Sequence, residues 1–341
     1  MTRPLAAPAR RHSSRFRAGA ATPYLFVAPW VFGFVAFTLG PLLFSLYISF
    51  FDWPLVGKPE FIGLQNYTTV ITDDADFIRS LKVTLKFAAM FVPANLIVAL
   101  LLAMLLNQPM FASGFFRAAF YVPSIISGVA LVTIWSWLLS HEYGVINYML
   151  SLIGIEQVNW LGSPNWAPVS IVLVSLWSVG ATMLIFLAGL KSISKELYEA
   201  ASLSGVGKIG QFFLITLPLL SPVLLFNLVT TVIAAFQQLT LALLLTKGGP
   251  VKSTYMLAMY IYDTAFKYRD MGYAAAMSWL MLLLIIALTL GVGRIQVSRW
   301  RQRYLESGLE GIERDLPRGA PPLKMDVARL VELTTQSKPE A

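Results

Sequence analysis

Glu199-Ala200-Ala201-Ser202-Leu203-Ser204-Gly205, running on through Phe212, Ile215 and Leu217-Pro218 to Pro222, is a polar, glycine-broken stretch set between long apolar segments. Just before it, either Ser192 or Ser194 is placed to cap a helix, and Glu196 and Glu199 fall in the first turns, where acids suit the helix dipole. Ile193, Leu197, Ala200 and Ala201 share one face. Gly205 and Gly207 then interrupt the helix, and a second amphipathic turn with Phe212, Phe213 and Ile215 leads to Pro218. The spacing predicts helix, sharp turn, helix over residues 191–216. This is the pattern of a docking element rather than a catalytic one. Periodicity alone is equally satisfied by an amphipathic helix lying on a bilayer surface.

What flanks this stretch sets the fold class. The 341 residues are 57% hydrophobic and only 13% charged, with mean hydropathy +0.67. A water-soluble domain of that size could not cover so much apolar surface with so few charges. Lipid is therefore the expected solvent. A spanning helix needs about 20 apolar residues, and six such stretches occur near residues 24–50, 83–106, 118–139, 167–190, 217–245 and 273–293. Strands of a closed barrel would be shorter and would alternate. The expectation is all-α: a polytopic, six-helix membrane bundle, since helices satisfy their own backbone groups in hydrocarbon.

Charge gives the expected orientation. With a cytoplasmic N-terminus, the inner side collects 18 of the 26 basic residues, including the arginines before residue 18, Arg117, Lys191, Lys195, Lys208 and everything from Arg294 onward. Each side holds nine acids, so the inner loops carry a net charge of +9 and the outer ones −1. Membrane topology and anionic headgroups thus account for the basic balance, and a nucleic-acid partner is not called for. The first apolar run is too long for a secretory signal and reads as a retained span. Trp53, Trp137, Trp160 and Trp166 sit near span ends as interface anchors. With no cysteine, the chain has no disulfide, thiol nucleophile or Cys-ligated metal.

The expected organisation is a basic cytoplasmic arm (1–23), a transmembrane domain (24–300) holding the loop 191–216, and a loosely ordered cytoplasmic tail (301–341) with Pro317, Pro321 and Pro322. The segment 51–82, rich in aromatics and turn formers, is expected to form a small outer cap. The segment 140–166 contains no Lys or Arg and reads as short helices and turns. His141 and Glu142 stand together there, but two residues make neither a metal site nor a catalytic set.

Polar side chains within apolar spans line a cavity or bind another helix. Asn227, Thr230, Thr231, Gln237, Gln238 and Thr240 gather in the fifth span, and Asn227 to Gln238 is about three helical turns, which puts both on one face. Phe236 adds a flat apolar surface. Amide hydrogen bonds beside an aromatic face suit a sugar, and helix–helix hydrogen bonding explains each residue as well. Thr182, after Gly180, and Asn95, beside Pro93, border the same region or merely adjust packing.

Residue by residue, the opening stretch resembles the EAA loop of permease subunits in binding-protein-dependent ABC importers. Glu199-Ala200-Ala201, Gly205, Phe212, Ile215, Leu217-Pro218 and Pro222 fall on that pattern, whereas Ser204 replaces its usual acid and Val206 its usual alanine. Thr246-Lys247-Gly248-Gly249-Pro250, Ser253-Thr254, Tyr260-Ile261-Tyr262 and Met271-Gly272-Tyr273 are similar to the carbohydrate-uptake, maltose-type branch, as are Phe61-Ile62-Gly63-Leu64-Gln65-Asn66-Tyr67 and Leu187-Ala188-Gly189-Leu190. The resemblance covers most of residues 24–294. It implies the type I importer fold, half of a pore completed by a second permease, and Glu199, Ala200, Ala201 and Gly205 seated in a groove of one of two ABC ATPase subunits. It also implies an extracytoplasmic sugar-binding protein and substrate contacts near Phe236, Gln237, Gln238 and Thr240.

No cofactor site belongs to this chain. The nearest approach to a phosphate-binding loop, Gly207-Lys208, has Ser202 where the first glycine belongs and Ile209 where Ser or Thr belongs. ATP and Mg are expected in the partner ATPase. An ion-coupled secondary transporter is the rival reading, but none of the six spans carries Asp or Glu near its centre and no internal repeat is visible. An intramembrane hydrolase would need a nucleophile and base at depth, which are missing.

Overall fold

The computed structural model describes residues 22–54 and 57–291. The expected arm and tail lie outside the described residues, apart from the few that open the first helix. Among the described residues, four helices are long and apolar enough to cross a membrane: Phe26–Ile48, Ala75–Asn107, Ser221–Leu244 and Met271–Gly291. Two further spans are each broken in two. Ser113–Ile125 meets Gly128–Leu138 at 99°, and Trp166–Leu176 meets Gly180–Ser192 at 51°. They are numbered here as spans one to six in chain order. The six-span bundle stands, and the correction concerns straightness. Pro123 opens a 3₁₀ turn over Val122–Ile125, after which Ile126 and Ser127 are extended.

The two breaks meet. A Cβ at Gly180 would lie 2.2 Å from the carbonyl oxygen of Phe120 and 2.7 Å from Cα of Tyr121. Only glycine lets the second half of span four approach the first half of span three so closely.

Span two is the central mast. It begins at Ala75, earlier than its apolar run, because Asp74 accepts the backbone N–H of Phe77 at 2.8 Å and caps the helix. Its buried face packs on spans four and five. Ala99 and Ala103, both fully buried, meet Met183, Phe186, Leu187 and Leu220. Small residues let helices approach in lipid, where packing rather than water exclusion holds them together. Gly189 serves the same end, since its Cβ would stand 2.9 Å from Val223. Span one, in contrast, buries none of its apolar window and is tied mainly at its far end, where Trp279 Nε1 donates to Ser45 Oγ at 3.2 Å.

A small cap closes the end beyond span one. Phe51–Asp52 pairs antiparallel with Glu60–Phe61, and the buried Asn66 amide donates to the carbonyls of Ser49 and Phe51. Asp74 then gathers the hydroxyls of Tyr260 and Tyr273 on one carboxylate oxygen at 2.7 and 2.8 Å. The cap is thereby fixed to span six and to the segment before it.

Candidate functional site

At the opposite end of the bundle lies the glycine-broken element. Lys195–Leu203 is a helix capped by Ser194, whose hydroxyl accepts the N–H of Glu196 at 3.3 Å. It stops at Gly205, whose φ of +80° is left-handed and lets Val206 N–H bond back to Ala201 at 2.9 Å. Lys208–Leu219 then returns toward the membrane. Gln211 Nε2 clamps the turn by donating to Ser202 Oγ at 2.8 Å and to Val206 O at 3.1 Å. Tyr198 and Thr216 join the helices through their hydroxyls at 2.9 Å. Glu199, Ala200 and Gly205 are exposed and Ala201 is half-buried. Among the described residues Glu199 has no ion-pair partner. Leu203 is 91% exposed and Ile209 77%, so the element offers a firm apolar tip flanked by charge.

A cavity of about 510 Å³ lies within the bundle. Three interruptions of helix build it. Gly128 comes from the break in span three, Ser175, Ser178 and Thr182 from the break in span four, and Gln238 and Thr240 from a break in span five. Irregular backbone at membrane depth is tolerated where it lines a cavity or is buried in protein. Gly128 lies so close to Thr240 that a Cβ would meet its methyl at 2.9 Å. Span two closes the wall with Phe91 and Asn95. Asn95 Nδ2 reaches Thr182 and Thr231, each at 3.3 Å, and so links spans two, four and five. Asn227 also walls the cavity, is 1% exposed, and neither amide atom has a hydrogen-bond partner among the described residues. Leaving such groups unpaired costs about 1–3 kcal/mol each.

The structure thus brings together Asn227, Thr182, Gln238 and Thr240 of the sequence candidates. It does not bring Phe236 or Gln237 to the cavity. The helix expected to carry Asn227 through Gln238 on one face ends at Phe236 and resumes at Thr240. Phe236 is buried at 1% exposure, Gln237 faces outward, and Gln238 turns inward, its Oε1 accepting the N–H of Leu241 at 3.4 Å. Ser175, Ser178 and Phe91 were not singled out by sequence. The serines carried the same signal as Asn227, polarity within an apolar span. His141 remains in its loop, its Nδ1 3.4 Å from the Val158 carbonyl.

Comparison with known proteins gives the class to which this bundle of broken helices belongs. Residues 95–302 match the family described as the inner membrane component of binding-protein-dependent transport systems, and this chain belongs to that family. A probable ABC transporter permease of Bacillus subtilis strain 168, YesP, is 40% identical over 288 residues, covering 83% of this chain and 93% of that protein. The sulfoquinovosyl glycerol transport permease SmoG of Agrobacterium fabrum is 38% identical, covering 73% and 82%. The trehalose/maltose transport permease MalF of Thermococcus litoralis is 32% identical, covering 82% and 94%. A chain in the crystal structure of a bacterial ABC transporter importing alginate shares the fold, with a TM-score of 0.70 at 24% identity over 80% of this chain and 94% of that one. The chain is a multi-pass inner-membrane protein of a binding-protein-dependent system.

Proposed function

We propose that this chain forms half of the translocation pathway of an ATP-driven sugar importer. The Asn227 amide, buried at the cavity wall and without a hydrogen-bond partner among the described residues, is the observation that carries the sugar reading. A sugar hydroxyl both donates and accepts, so it complements an amide, and Gln238, Thr182 and Thr240 extend the same polarity around the wall. Relatives named for trehalose/maltose, lactose and sulfoquinovosyl glycerol transport support the substrate class.

A second permease completes the pathway and covers part of span one, whose apolar surface the bundle leaves unpacked. Two ABC ATPase subunits bind ATP and Mg, and one receives Glu199, Ala200, Ala201 and the Gly205 turn in a groove. An external binding protein delivers the sugar. Both termini are cytoplasmic in this reading, which the distribution of Lys and Arg supports. ATP-driven closure of the ATPases moves the element Lys195–Leu219, and the firm contacts of Tyr198 and Gln211 pass that motion to span five.

Reconstitution of the assembled importer in proteoliposomes tests this reading. Uptake of labelled oligosaccharide is expected to require both ATP and the binding protein. Uptake driven by a proton or sodium gradient without ATP would overturn it in favour of a secondary carrier.

A further inference from the structure

Span two carries a second constructed surface, on the side away from the cavity. Arg79, Lys82 and Lys86 are exposed and fall at spacings of three and four, a single stripe on the helix. With Ala75, Ile78 and Val83 they line a concavity of about 400 Å³. At about 100° per residue this stripe lies opposite Phe77, Thr84, Phe87, Phe91 and Asn95, the buried and cavity-facing side. The stripe therefore does not border the substrate cavity.

Helix length places these cations in depth. Thirty-three residues at about 1.5 Å each make a helix about 50 Å long, some 20 Å more than the hydrocarbon is thick. Residues 87–106 contain no charge and span about 30 Å. Lys86 thus stands at the hydrocarbon boundary, with Lys82 and Arg79 about 6 and 10 Å above it, through the headgroup layer. Below Lys86 the same face continues as Pro93 and Ile97, with Leu101 at its edge, all exposed. Cations above and an exposed apolar track beneath match one amphiphile, with its head in the concavity and its chains along the helix.

Local charges leave the stripe available. The nearby carboxylate of Asp76 is held by Lys252 at 2.8 Å from both oxygens and lies 3.7 Å from Arg79. Among the described residues Lys82 and Lys86 have no ion-pair partner. The stripe also sits at the end away from the coupling element, where Lys and Arg are otherwise outnumbered by acids.

We infer that Arg79, Lys82 and Lys86 bind the phosphate headgroup of an anionic phospholipid, whose acyl chains lie along Pro93, Ile97 and Leu101. Phosphate oxygens accept from guanidinium and ammonium groups together, and each cation near an anionic headgroup contributes roughly fivefold in affinity.

The test uses the complete transporter, purified from membranes and placed in nanodiscs of phosphatidylethanolamine with or without phosphatidylglycerol as the anionic component. Bound lipid is read by native mass spectrometry. The variant R79Q/K82Q/K86Q is expected to retain phosphatidylglycerol at least about tenfold less than the parent. The charge-conserving K82R/K86R variant retains it, and both keep the partner subunits. Equal retention by the glutamine variant would overturn the site. So would displacement of the lipid by millimolar inorganic phosphate, which would make it a site for a free anion. Loss of the second permease from the glutamine variant with unchanged lipid would instead assign the stripe to an acidic segment of that subunit. Each outcome is read without transport, so failure here is distinct from failure of the importer reading.

Discussion

The hydroxyls of Tyr198 and Thr216 share a hydrogen bond of 2.9 Å that ties the exposed docking helix to the segment entering span five. Tyr198 lies one residue before Glu199, and Thr216, 5% exposed, lies just before Leu217-Pro218. In the proposed coupling, displacement of this helix by an ATPase subunit would pull on the base of span five through that bond. Tyr198→Phe keeps the ring and removes the bond. We expect a stability loss of only about 1 kcal/mol, with several-fold fewer sugars moved per ATP hydrolysed in proteoliposomes. An unchanged ratio of transport to hydrolysis would show that force does not pass through this bond.

Gln237 and Gln238 are adjacent yet face different surroundings, and this gives an internal control. Asn227→Leu and Gln238→Leu are expected to lower uptake at least about tenfold, because each removes polar groups from the cavity wall while matching their bulk. Gln237→Leu is expected to leave uptake near the parent level, since its side chain faces outward. Recovery of the assembled complex by size-exclusion chromatography separates a transport defect from misassembly. Equal damage from both glutamine substitutions would contradict the observed break in span five.

Gly180 tolerates no side chain. A Cβ there would strike the Phe120 carbonyl at 2.2 Å, and backbone cannot rotate away as a side chain can. Gly180→Val is expected to abolish recovery of folded protein from detergent. Gly128→Ala meets the movable methyl of Thr240 at 2.9 Å, so it is expected to fold and to transport more slowly, as measured by initial uptake rates.

Asp74 caps span two and accepts from Tyr260 and Tyr273, so Asp74→Ala removes three hydrogen bonds at once. Thermal unfolding in detergent should show a loss of about 3 kcal/mol. Burial, and then the bond to Asp74, hold the Tyr260 hydroxyl protonated above its ordinary value of 10.0. A raised folded value means the unfolded chain ionises first as pH rises. The contribution of Tyr260 is therefore complete below pH 10 and declines above it, and Tyr260→Phe should flatten the fall in melting temperature there.

The spans were legible because their apolar runs are long, and the helix-turn-helix shape of Lys195–Leu219 because Ser194, Gly205 and Pro218 mark its cap, turn and end. Breaks were harder to read. Pro123 and Gly128 mark the one in span three, but no proline or glycine falls between Phe236 and Thr240, so periodicity carried the helix too far. Asn227 and Gln238 do both line the cavity, whereas Phe236 and Gln237, expected at the substrate path by resemblance, lie at that break and do not. Ser175 and Ser178 escaped attention because an isolated serine satisfies itself within a helix, as Ser175 does by donating to Ile171 at 2.8 Å. Whether such a residue also walls a cavity depends on how neighbouring spans bend.

Glu199 and the turn beside it are proposed to dock an ATP-hydrolysing subunit. Purification of the tagged chain from its own membranes, beside a Glu199→Lys control, tests this most directly. The parent is expected to carry an ABC ATPase and a second permease, and the variant to insert normally but lose most of the ATPase. Recovery of the parent chain alone from well-preserved membranes, or equal ATPase recovery with the variant, would contradict it.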